Sequence, residues 1–287
     1  MLLLKNADIY APAPAGRADI LAAGGRIIRI EPGIRIPESY CDSFDAAGLI
    51  AAPGFIDGHV HITGGGGEGG YATRTPELLL SDAIRGGVTT VVGCLGTDGV
   101  TRSLPNLLAK ARGLDEEGIS TFIYTGYYAV PIRTLTGSIE QDLLLIDKVI
   151  GVGEVALSDH RSTQPTFDEL ARIAAEARRG GILSGKAGVV NVHMGDGRRG
   201  LSLLRRIVEE TEIPATQFLP THINRNPTLF QAGIAHAKAG GLVDLTTSSV
   251  PAFVGHGEVT CSRGLREMLE AGVEVAQASI SKAAQKP

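Results

Sequence analysis

The sequence predicts an α/β protein: a (β/α)8 barrel of the TIM type, preceded by a small N-terminal β domain. Three observations lead to this prediction. From Pro53 onward, eight strand-like segments alternate with seven helical segments. The strand-like segments are apolar nearly throughout, as expected of parallel strands that are buried on both faces. The region they occupy, about 230 residues, has the usual size of such a barrel.

Residues 1–52 have a different pattern, and we expect them to form the small β domain. The segments LLLKNADIYA, ADILAAGGRIIRIEPG and CDSFDAAGLIAAPG are short β-prone runs separated by turn residues. Gly24 and Gly25 lie between two such runs, which indicates a hairpin. Residues 53–287 are then expected to form the barrel domain. An open doubly wound sheet is the alternative architecture for the same alternation.

The predicted barrel elements follow one another along the chain. The strands are GFIDGHVH, GVTTVVGCLG, STFIYTGYY, VIGVGEVALSD, GVVNVHMGD, PATQFLPTHIN, LVDLTTSS and VEVAQASIS. The helices are PELLLSDAIRGG, LPNLLAKARGLDEEG, SIEQDLLLIDKV, TFDELARIAAEARRGG, GLSLLRRIVEET, TLFQAGIAHAKAGG and TCSRGLREMLEAGV. Several of these helices end in glycine, a common helix stop. Asp168 and Glu169 lie in the first turn of the fourth helix, where the helix dipole favours acidic side chains.

The composition disfavours several classes of protein. The chain has 287 residues with a net charge of −4 and no block of Lys or Arg, which argues against nucleic-acid binding. Cys41, Cys94 and Cys261 form no CxxC motif, which suits a reducing compartment. No apolar run approaches the roughly 20 residues that a membrane span requires, and MLLLKNADIY lacks the features of a signal peptide. We therefore expect a soluble cytoplasmic protein without a nucleic-acid or membrane partner.

Four of the seven histidines fall at the C-terminal ends of predicted strands. His59 and His61 close the first barrel strand, His193 closes the fifth and His222 the sixth. Residues i and i+2 of a strand face the same side, and the C-terminal ends of barrel strands form the rim where active sites lie. Imidazole is a good ligand for zinc-like metals. The pattern predicts a metal site, although a single strand-end histidine could equally be a hydrogen-bonded core residue.

Glu154 is an acidic residue within the otherwise apolar segment GVGEVALSD. A buried carboxylate is costly unless it is paired or binds a metal. We predict that Glu154 bridges two metal ions about 3.5–4 Å apart, as in hydrolytic two-metal sites. The alternative is an irregular position that faces solvent. His160, beside Arg161, is expected to orient its loop, with a ligand role as the alternative, and His236 and His256 are not expected to be ligands.

Five motifs in order resemble the isoaspartyl dipeptidase (β-aspartyl peptidase) family of the amidohydrolase superfamily. They are PGFIDGHVHITGGGGEGG, GGVTTVVGCLGTDG, ALSDHRS, NVHMGDG and THINRN, and the resemblance runs from about residue 1 to residue 281. It implies an enzyme with two divalent metal ions, expected to be Zn2+, that cleaves dipeptides joined through the β-carboxyl group of aspartate. Some relatives have a carboxylated lysine where this chain has Glu154, which supplies a carboxylate unmodified. Relatives form large homo-oligomers, so we expect a homo-oligomer.

The glycine run that follows His61 is expected to let a loop fold tightly over the metal site. A disordered linker and a phosphate-binding loop are the alternatives, although the GK[ST] ending of the latter is absent. The resemblance implies that Glu68, within this run, accepts the α-ammonium group of the substrate. It implies that Gly96 and Thr97 neighbour the same aspartyl group.

The resemblance also implies roles for three larger side chains. Tyr128 would polarise the scissile carbonyl, and with Glu154 it forms the predicted catalytic set. Arg161 and Arg225 would hold the substrate carboxylates, a task that suits the two-pronged guanidinium group.

The family pattern breaks off at the last strand. Relatives continue with Ser-Asp-x-x-Gly, whose aspartate binds a metal and moves a proton, whereas this chain reads SKAAQKP and has no aspartate after Asp244. We expect the eighth helix and the C-terminal strands to be missing and the activity to be impaired. Two other hypotheses remain: a catalytically inactive amidohydrolase that keeps metal or ligand binding, and a hydrolase of cyclic amides or N-acyl amino acids.

Overall fold

The computed structural model describes residues 1–282. The chain divides into two compact units, and the second begins at Ile56. The strands are β1 (Leu2–Tyr10), β2 (Pro14–Ala23), β3 (Arg26–Glu31), β4 (Asp42–Asp45), β5 (Ile50–Ala51), β6 (Phe55–Val60), β7 (Val88–Gly93), β8 (Ser120–Thr125), β9 (Val149–Leu157), β10 (Val189–Met194), β11 (Phe218–Thr221), β12 (Val243–Thr246) and β13 (Ala278–Ser281).

The α-helices are α1 (Leu80–Arg85), α2 (Leu104–Glu117), α3 (Ile139–Leu145), α4 (Phe167–Ser184), α5 (Ser202–Glu210), α6 (Pro227–Lys238), α7 (Pro251–Gly255) and α8 (Cys261–Glu270). Short 3-10 turns cover Tyr71–Thr73, Ala215–Gln217, Ile223–Arg225 and Val275–Gln277. Among residues 1–282, none of these helices combines the length and apolar character that crossing a bilayer requires.

The first unit is a small sheet with the strand order β3-β2-β1-β4, in which β5 also pairs with β1. The β2–β3 pair is an antiparallel hairpin. Its turn residues Gly24 and Gly25 have φ angles of 57° and 72°, a left-handed conformation that glycine adopts without steric cost. The predicted hairpin is confirmed. Leu3, Leu21, Ile34 and Cys41 form one small core on this sheet.

The second unit contains a six-stranded sheet with the order β11-β10-β9-β8-β7-β6. Strands β7 to β11 pair in parallel. The spatial order follows the chain order in one direction, whereas a doubly wound sheet reverses at a switch point. The predicted fold class, a TIM-like barrel, is therefore confirmed, and the doubly wound alternative is excluded.

The last two predicted strands differ from a continuous barrel, because β12 and β13 form a separate parallel pair. Side chains connect this pair to β11. The amide of Asn224, just beyond β11, takes the place of a backbone partner: its Nδ2 donates to the Thr246 carbonyl at 3.0 Å, and its Oδ1 accepts from the Thr246 N–H at 2.8 Å. The Asp244 carboxylate accepts from Thr221 at 2.6 Å and from Ser281 at 2.5 Å.

The other edge of the six-stranded sheet is connected in the same manner. Asp57 in β6 accepts the backbone N–H of Lys282, directly after β13, at 3.1 Å. Side-chain hydrogen bonds thus connect the two-stranded sheet to both edges of the larger sheet. The prediction that the eighth helix and Ser-Asp-x-x-Gly segment are missing falls on residues that lie largely outside the described part of the chain.

Buried clusters lie on both faces of the six-stranded sheet. Val91 belongs to the main core and its neighbour Val92 to a smaller cluster, and the same division separates Ile123 from Tyr124. Because adjacent residues of a strand point to opposite faces, the two clusters lie on opposite sides of the sheet. This explains why the strand segments are apolar throughout.

Local signals set the helix boundaries. Thr166 caps α4 in a capping box with Glu169. Glu169, one of the two acidic residues expected in the first turn of this helix, therefore also forms a hydrogen bond with the N-cap residue. Asn226 caps α6. The sequence analysis missed α7, a five-residue helix whose first residue is Pro251. Proline at the first helical position was the available signal.

Candidate metal centre

The predicted metal ligands lie on neighbouring strands of the six-stranded sheet. His59 is in β6 and His61 follows one residue after that strand ends. Glu154 is in β9, His193 is in β10, and His222 directly follows β11. The parallel arrangement places these strand ends at one rim, as the sequence analysis predicted.

The Glu154 carboxylate is fully buried and lies at the centre of the four imidazoles. Its Oε2 is 3.0 Å from His193 Nδ1, 3.3 Å from His59 Nε2 and 3.8 Å from His222 Nε2. Its Oε1 is 3.3 Å from His61 Nε2. One carboxylate therefore contacts all four predicted histidine ligands, which excludes the alternative that Glu154 faces solvent.

The possible ligand atoms form two groups that share Glu154. One group contains His59, His61, Cys94 and Glu154, and the other contains Glu154, His193 and His222; within each, the atoms lie within 4.8 Å of one another. His59 Nε2 and Glu154 Oε1 are buried and have no hydrogen-bond partner within residues 1–282. Because such atoms are costly to bury unsatisfied, the donor set fits a bound cation of the zinc type.

Neighbouring polar groups orient the histidine rings. His59 Nδ1 lies 3.0 Å from Asn191 Oδ1, and His222 Nδ1 lies 2.5 Å from Thr246 Oγ1. In each ring the other nitrogen faces Glu154. Contacts of this kind fix the tautomer and orientation of metal-binding histidines. Neither Asn191 nor Thr246 was identified from the sequence, because nothing local marks them.

Burial and the neighbouring charges shift the pKa values of the side chains in this cluster. Burial acts to raise the pKa of Glu154, but the charges of His59 and His193 outweigh it and hold that pKa well below its usual range. Burial and the charge of His193 lower the pKa of His222 well below 6.5. These shifts favour an ionised Glu154 and a neutral His222, the forms that bind metals. Burial acts to lower the pKa of His59, but Cys94 and Glu154 outweigh it and raise that pKa well above 6.5.

Cys94 is a possible ligand in one of these groups that the sequence analysis missed. It directly follows β7, and its Sγ lies 3.6 Å from His61 Nδ1. Burial acts to raise the pKa of Cys94, but His59 and His61 outweigh it and lower that pKa. Burial would lower the pKa of His61, yet Cys94 and Glu154 raise it to about 9. The strand-end position of Cys94 was the signal that could have found it.

The residues expected to contact substrate lie beside the cluster. Glu68 Oε1 accepts a hydrogen bond from Thr97 Oγ1 at 2.8 Å and from Arg161 Nη1 at 3.0 Å. A Cβ atom at Gly96 would lie 2.9 Å from His61 Cε1. A side chain at position 96 would therefore displace a metal-ligand candidate.

Tyr128 and Arg161 contact the His193 side of the cluster. The Tyr128 hydroxyl lies 2.8 Å from His193 Nδ1, and the Arg161 guanidinium lies 5.4 Å from the Tyr128 ring centroid. Asp159 accepts from Arg161 Nε at 2.9 Å and from Nη2 at 2.7 Å. Burial and the Glu154 carboxylate raise the pKa of Tyr128 well above 10. Asp159, which the sequence analysis did not single out, fixes the guanidinium plane.

Arg225 ends the 3-10 turn that follows His222. Its charge acts to lower the pKa of Tyr128, although burial and Glu154 prevail. His160, His236 and His256 belong to neither group of ligand atoms found within residues 1–282.

The glycine-rich loop folds tightly, as predicted. Gly64 has a φ of 82°, and a Cβ atom there would lie 2.3 Å from the Thr75 carbonyl oxygen. The loop surrounds the buried Arg102 side chain, whose Nε donates to the Thr63 carbonyl at 3.1 Å and whose Nη2 donates to the Gly65 carbonyl at 2.9 Å. A disordered linker is excluded. Arg102 was missed because it is distant from the loop in sequence.

Comparisons with known proteins agree with this geometry. A sequence model described as the amidohydrolase family matches residues 50–195, about half of the chain. The chain belongs to the amidohydrolase family. A crystal structure of a β-aspartyl dipeptidase from Fervidobacterium islandicum AW-1 has 51% sequence identity to this amidohydrolase and a TM-score of 0.90, covering 98% of this chain and 75% of the other. The predicted resemblance is confirmed.

Three further relatives place this amidohydrolase in context. A second structure from Fervidobacterium islandicum AW-1, in complex with a β-Asp-Leu dipeptide, has 51% identity and a TM-score of 0.89, covering 98% of this chain and 72% of the other. A D-hydantoinase from a Bacillus sp. shares the fold at 15% identity and a TM-score of 0.62, covering 98% of this chain and 68% of the other. A dihydroorotase of Staphylococcus aureus is 36% identical over 116 residues, 40% of this chain and 26% of the relative. The amidohydrolase thus matches about a quarter of the length of that curated relative.

Proposed function

We propose that this chain is a metal-dependent hydrolase of β-aspartyl (isoaspartyl) dipeptides. The observation that carries the proposal is a cluster of four histidines around the buried Glu154, with a Glu68–Arg161 pair at its edge. The 51% identity to a protein crystallised with β-Asp-Leu supports the substrate class.

The metal ligands of the proposal are His59, His61, Glu154, His193 and His222, which would hold two divalent ions, with zinc as the expected metal. They lie in the barrel domain that we propose for residues 53–287, after a small β domain of residues 1–52. Glu154 belongs to both groups of ligand atoms, as a bridging carboxylate should. Bound divalent ions polarise carbonyl oxygens and lower the pKa of water.

The charges beside the cluster complement an isoaspartyl dipeptide, which carries one ammonium group and two carboxylates. Glu68 would accept the ammonium group, and Arg161 and Arg225 would bind the carboxylates through paired N–H donors. Gly96 and Thr97 would lie against the aspartyl part. Because Arg161 already donates to Glu68, the substrate ammonium would compete with that guanidinium for the same carboxylate.

Tyr128 and Glu154 are the proposed catalytic residues. The Tyr128 hydroxyl lies beside His193, close to where a polarised carbonyl oxygen would be. Its raised pKa keeps the proton available for donation to the negative charge that develops on that oxygen. Glu154 would act by holding the metal ions together.

The test is turnover of β-Asp-Leu compared with α-Asp-Leu, with and without a chelator. We expect cleavage of the β-linked peptide only, abolished by metal removal, and a loss of about 10²-fold or more in Tyr128→Phe if this donor acts like an oxyanion-hole group. Tyr127→Phe is the control, because Tyr127 is adjacent in sequence but contacts Arg133 rather than the histidine cluster. Equal rates on both peptides, or rates insensitive to the chelator, would contradict the proposal.

The other hypotheses have distinct outcomes in the same assay. An inactive amidohydrolase would bind metal and cleave neither dipeptide. The similarity to a dihydroorotase over 116 residues makes a cyclic amide the alternative substrate, and hydrolysis of dihydroorotate in preference to β-Asp-Leu would favour it.

The proposal also covers the oligomeric state and the cellular location of the protein. We expect a homo-oligomer, because Leu145 at the end of α3 and Ile182 and Leu183 at the end of α4 are each at least 66% exposed, and exposed apolar patches mark interaction surfaces. Light scattering of the purified chain tests this. The three free cysteines support a reducing, cytoplasmic location.

A further inference from the structure

We propose that Cys94 is a ligand of the metal centre, so that His59, His61, Cys94 and Glu154 form a four-ligand site for one of the two ions. The inference deepens the proposed metal-dependent function and rests on it. Its test, however, does not require turnover.

The spacing of the four side chains fits one ion. Cys94 is wholly buried, and its Sγ lies 3.6 Å from a ring nitrogen of His61. Glu154 oxygens lie 3.3 Å from nitrogens of both His59 and His61. Ligand atoms around a tetrahedral zinc, with Zn–S of about 2.3 Å and Zn–N of about 2.0–2.1 Å, are roughly 3.4–3.6 Å apart. Sγ approaches Nδ1 of His61, whereas Glu154 approaches Nε2 of the same ring. One ligand atom from each of the four side chains nevertheless lies within 4.8 Å of the others, so a rotation of the Cys94 or His61 side chain brings all four onto a common ion.

Unsatisfied atoms beside the thiol point to a cation independently. His59 Nε2 and Glu154 Oε1, in side chains that are fully buried, have no hydrogen-bond partner within the described residues. The Cys94 thiol has two long contacts, with the Val60 carbonyl at 3.7 Å and with His61 Nδ1 at 3.6 Å. Buried polar groups without partners cost about 1–3 kcal/mol each. An ion held between these three groups removes that cost.

Charge balance favours the same assignment. Two divalent ions carry four positive charges, whereas the ligands predicted from the sequence supply a single negative charge, on Glu154. Uncompensated charge is expensive in a buried site, and a Cys94 thiolate doubles the negative charge of the ligand set. A thiolate also selects zinc-like ions over magnesium and manganese. The consequence is a centre with unequal sites, one containing sulfur and one without it.

The test uses the full chain with C41S and C261S, which leaves Cys94 as the only thiol among the three cysteines. Loaded with Co2+, this protein should show a near-ultraviolet sulfur-to-cobalt charge-transfer band. Adding C94S should abolish the band and weaken zinc binding by at least about 10-fold. In the zinc-loaded chain, X-ray absorption should detect a sulfur neighbour at about 2.3 Å, which needs no variant at position 94.

Cobalt binding without the band, or a zinc environment without sulfur, would overturn the assignment. The band together with no turnover of β-Asp-Leu would leave the Cys94 ligand standing and contradict the proposed function. Turnover of β-Asp-Leu without the band would support the proposed function and contradict the Cys94 ligand. A chain that binds no divalent metal would overturn both.

Discussion

Glu154 connects the four histidines of the proposed metal centre, since its carboxylate contacts His59, His61, His193 and His222. In Glu154→Gln the amide removes the charge that both ion sites share, so we expect at least about 10-fold weaker zinc binding. Elemental analysis after dialysis against graded zinc concentrations measures this.

Glu210→Gln is the matched control, because Glu210 is exposed and forms a surface pair with Arg206 at 3.0 Å. Its metal content should equal that of the wild type. Unchanged occupancy in Glu154→Gln would mean that Glu154 does not bridge the ions.

Arg225 tests the charge recognition of the substrate. Arg225→Lys keeps the charge but loses the planar pair of donors. A hydrogen bond to a charged group is worth about 1.5–3 kcal/mol, so kcat/KM on β-Asp-Leu should fall by about 10–100-fold. Arg198→Lys, at an exposed position outside the cluster, should leave kcat/KM unchanged. If both substitutions change kcat/KM equally, Arg225 does not contact the substrate.

His236 links pH to stability at a position away from the metal centre. Burial lowers its pKa below 6.5, so the unfolded chain binds a proton more readily than the folded one. The free energy of unfolding therefore has its full value above about pH 6.5 and decreases as the pH falls below that value, toward the lower pKa of the folded state. In His236→Phe, which does not titrate, this part of the pH dependence should disappear from urea unfolding curves, measured as the difference from wild type. His256→Phe, at an exposed position, should keep the wild-type slope.

At the scale of elements, side chains rather than a backbone ladder connect β12 to β11. Asn224→Ala leaves the Thr246 N–H and carbonyl and the Val259 carbonyl without their buried partner. At about 1–3 kcal/mol for each unsatisfied group, the free energy of unfolding should fall by roughly 3 kcal/mol or more. Urea unfolding measures the loss.

Asn226→Ala is a control two residues away. Asn226 only caps α6, through a hydrogen bond to the Leu229 N–H at 2.9 Å, so its loss should cost about 1 kcal/mol. If both variants lose the same stability, the amide of Asn224 does not connect the strands.

At the scale of the whole molecule, the proposed metal centre would join elements that are distant in sequence, because its candidate ligands come from β6, β9, β10 and the ends of β6, β7 and β11. An ion that binds only the folded state stabilises it, by about 2.7 kcal/mol at 100 times the dissociation constant. Chelation should therefore lower the Tm of the second unit measurably. In Glu154→Gln the shift should be smaller. An equal Tm with and without the chelator would mean that the folded chain binds no ion.

The sequence was sufficient for the fold class because its signals are local or periodic. Apolar strands alternating with capped helices predict a parallel barrel, and Gly24-Gly25 predicts a hairpin. It failed where the deciding contact is remote: Asn224 holding β12, and Asp57 binding the N–H of Lys282. Neither residue carries a local pattern that distinguishes it from an ordinary surface polar residue.

For the site, the sequence by itself predicted that the four histidines and Glu154 lie together, because a strand-end position implies a shared rim in any parallel barrel. Only the tertiary structure decided that Cys94 joins them and that Asp159 fixes Arg161. The physical reason is that ligand groups are defined by distances of a few ångströms between side chains on different strands. Sequence spacing encodes direction along one strand, whereas such distances depend on the register and curvature of the whole sheet.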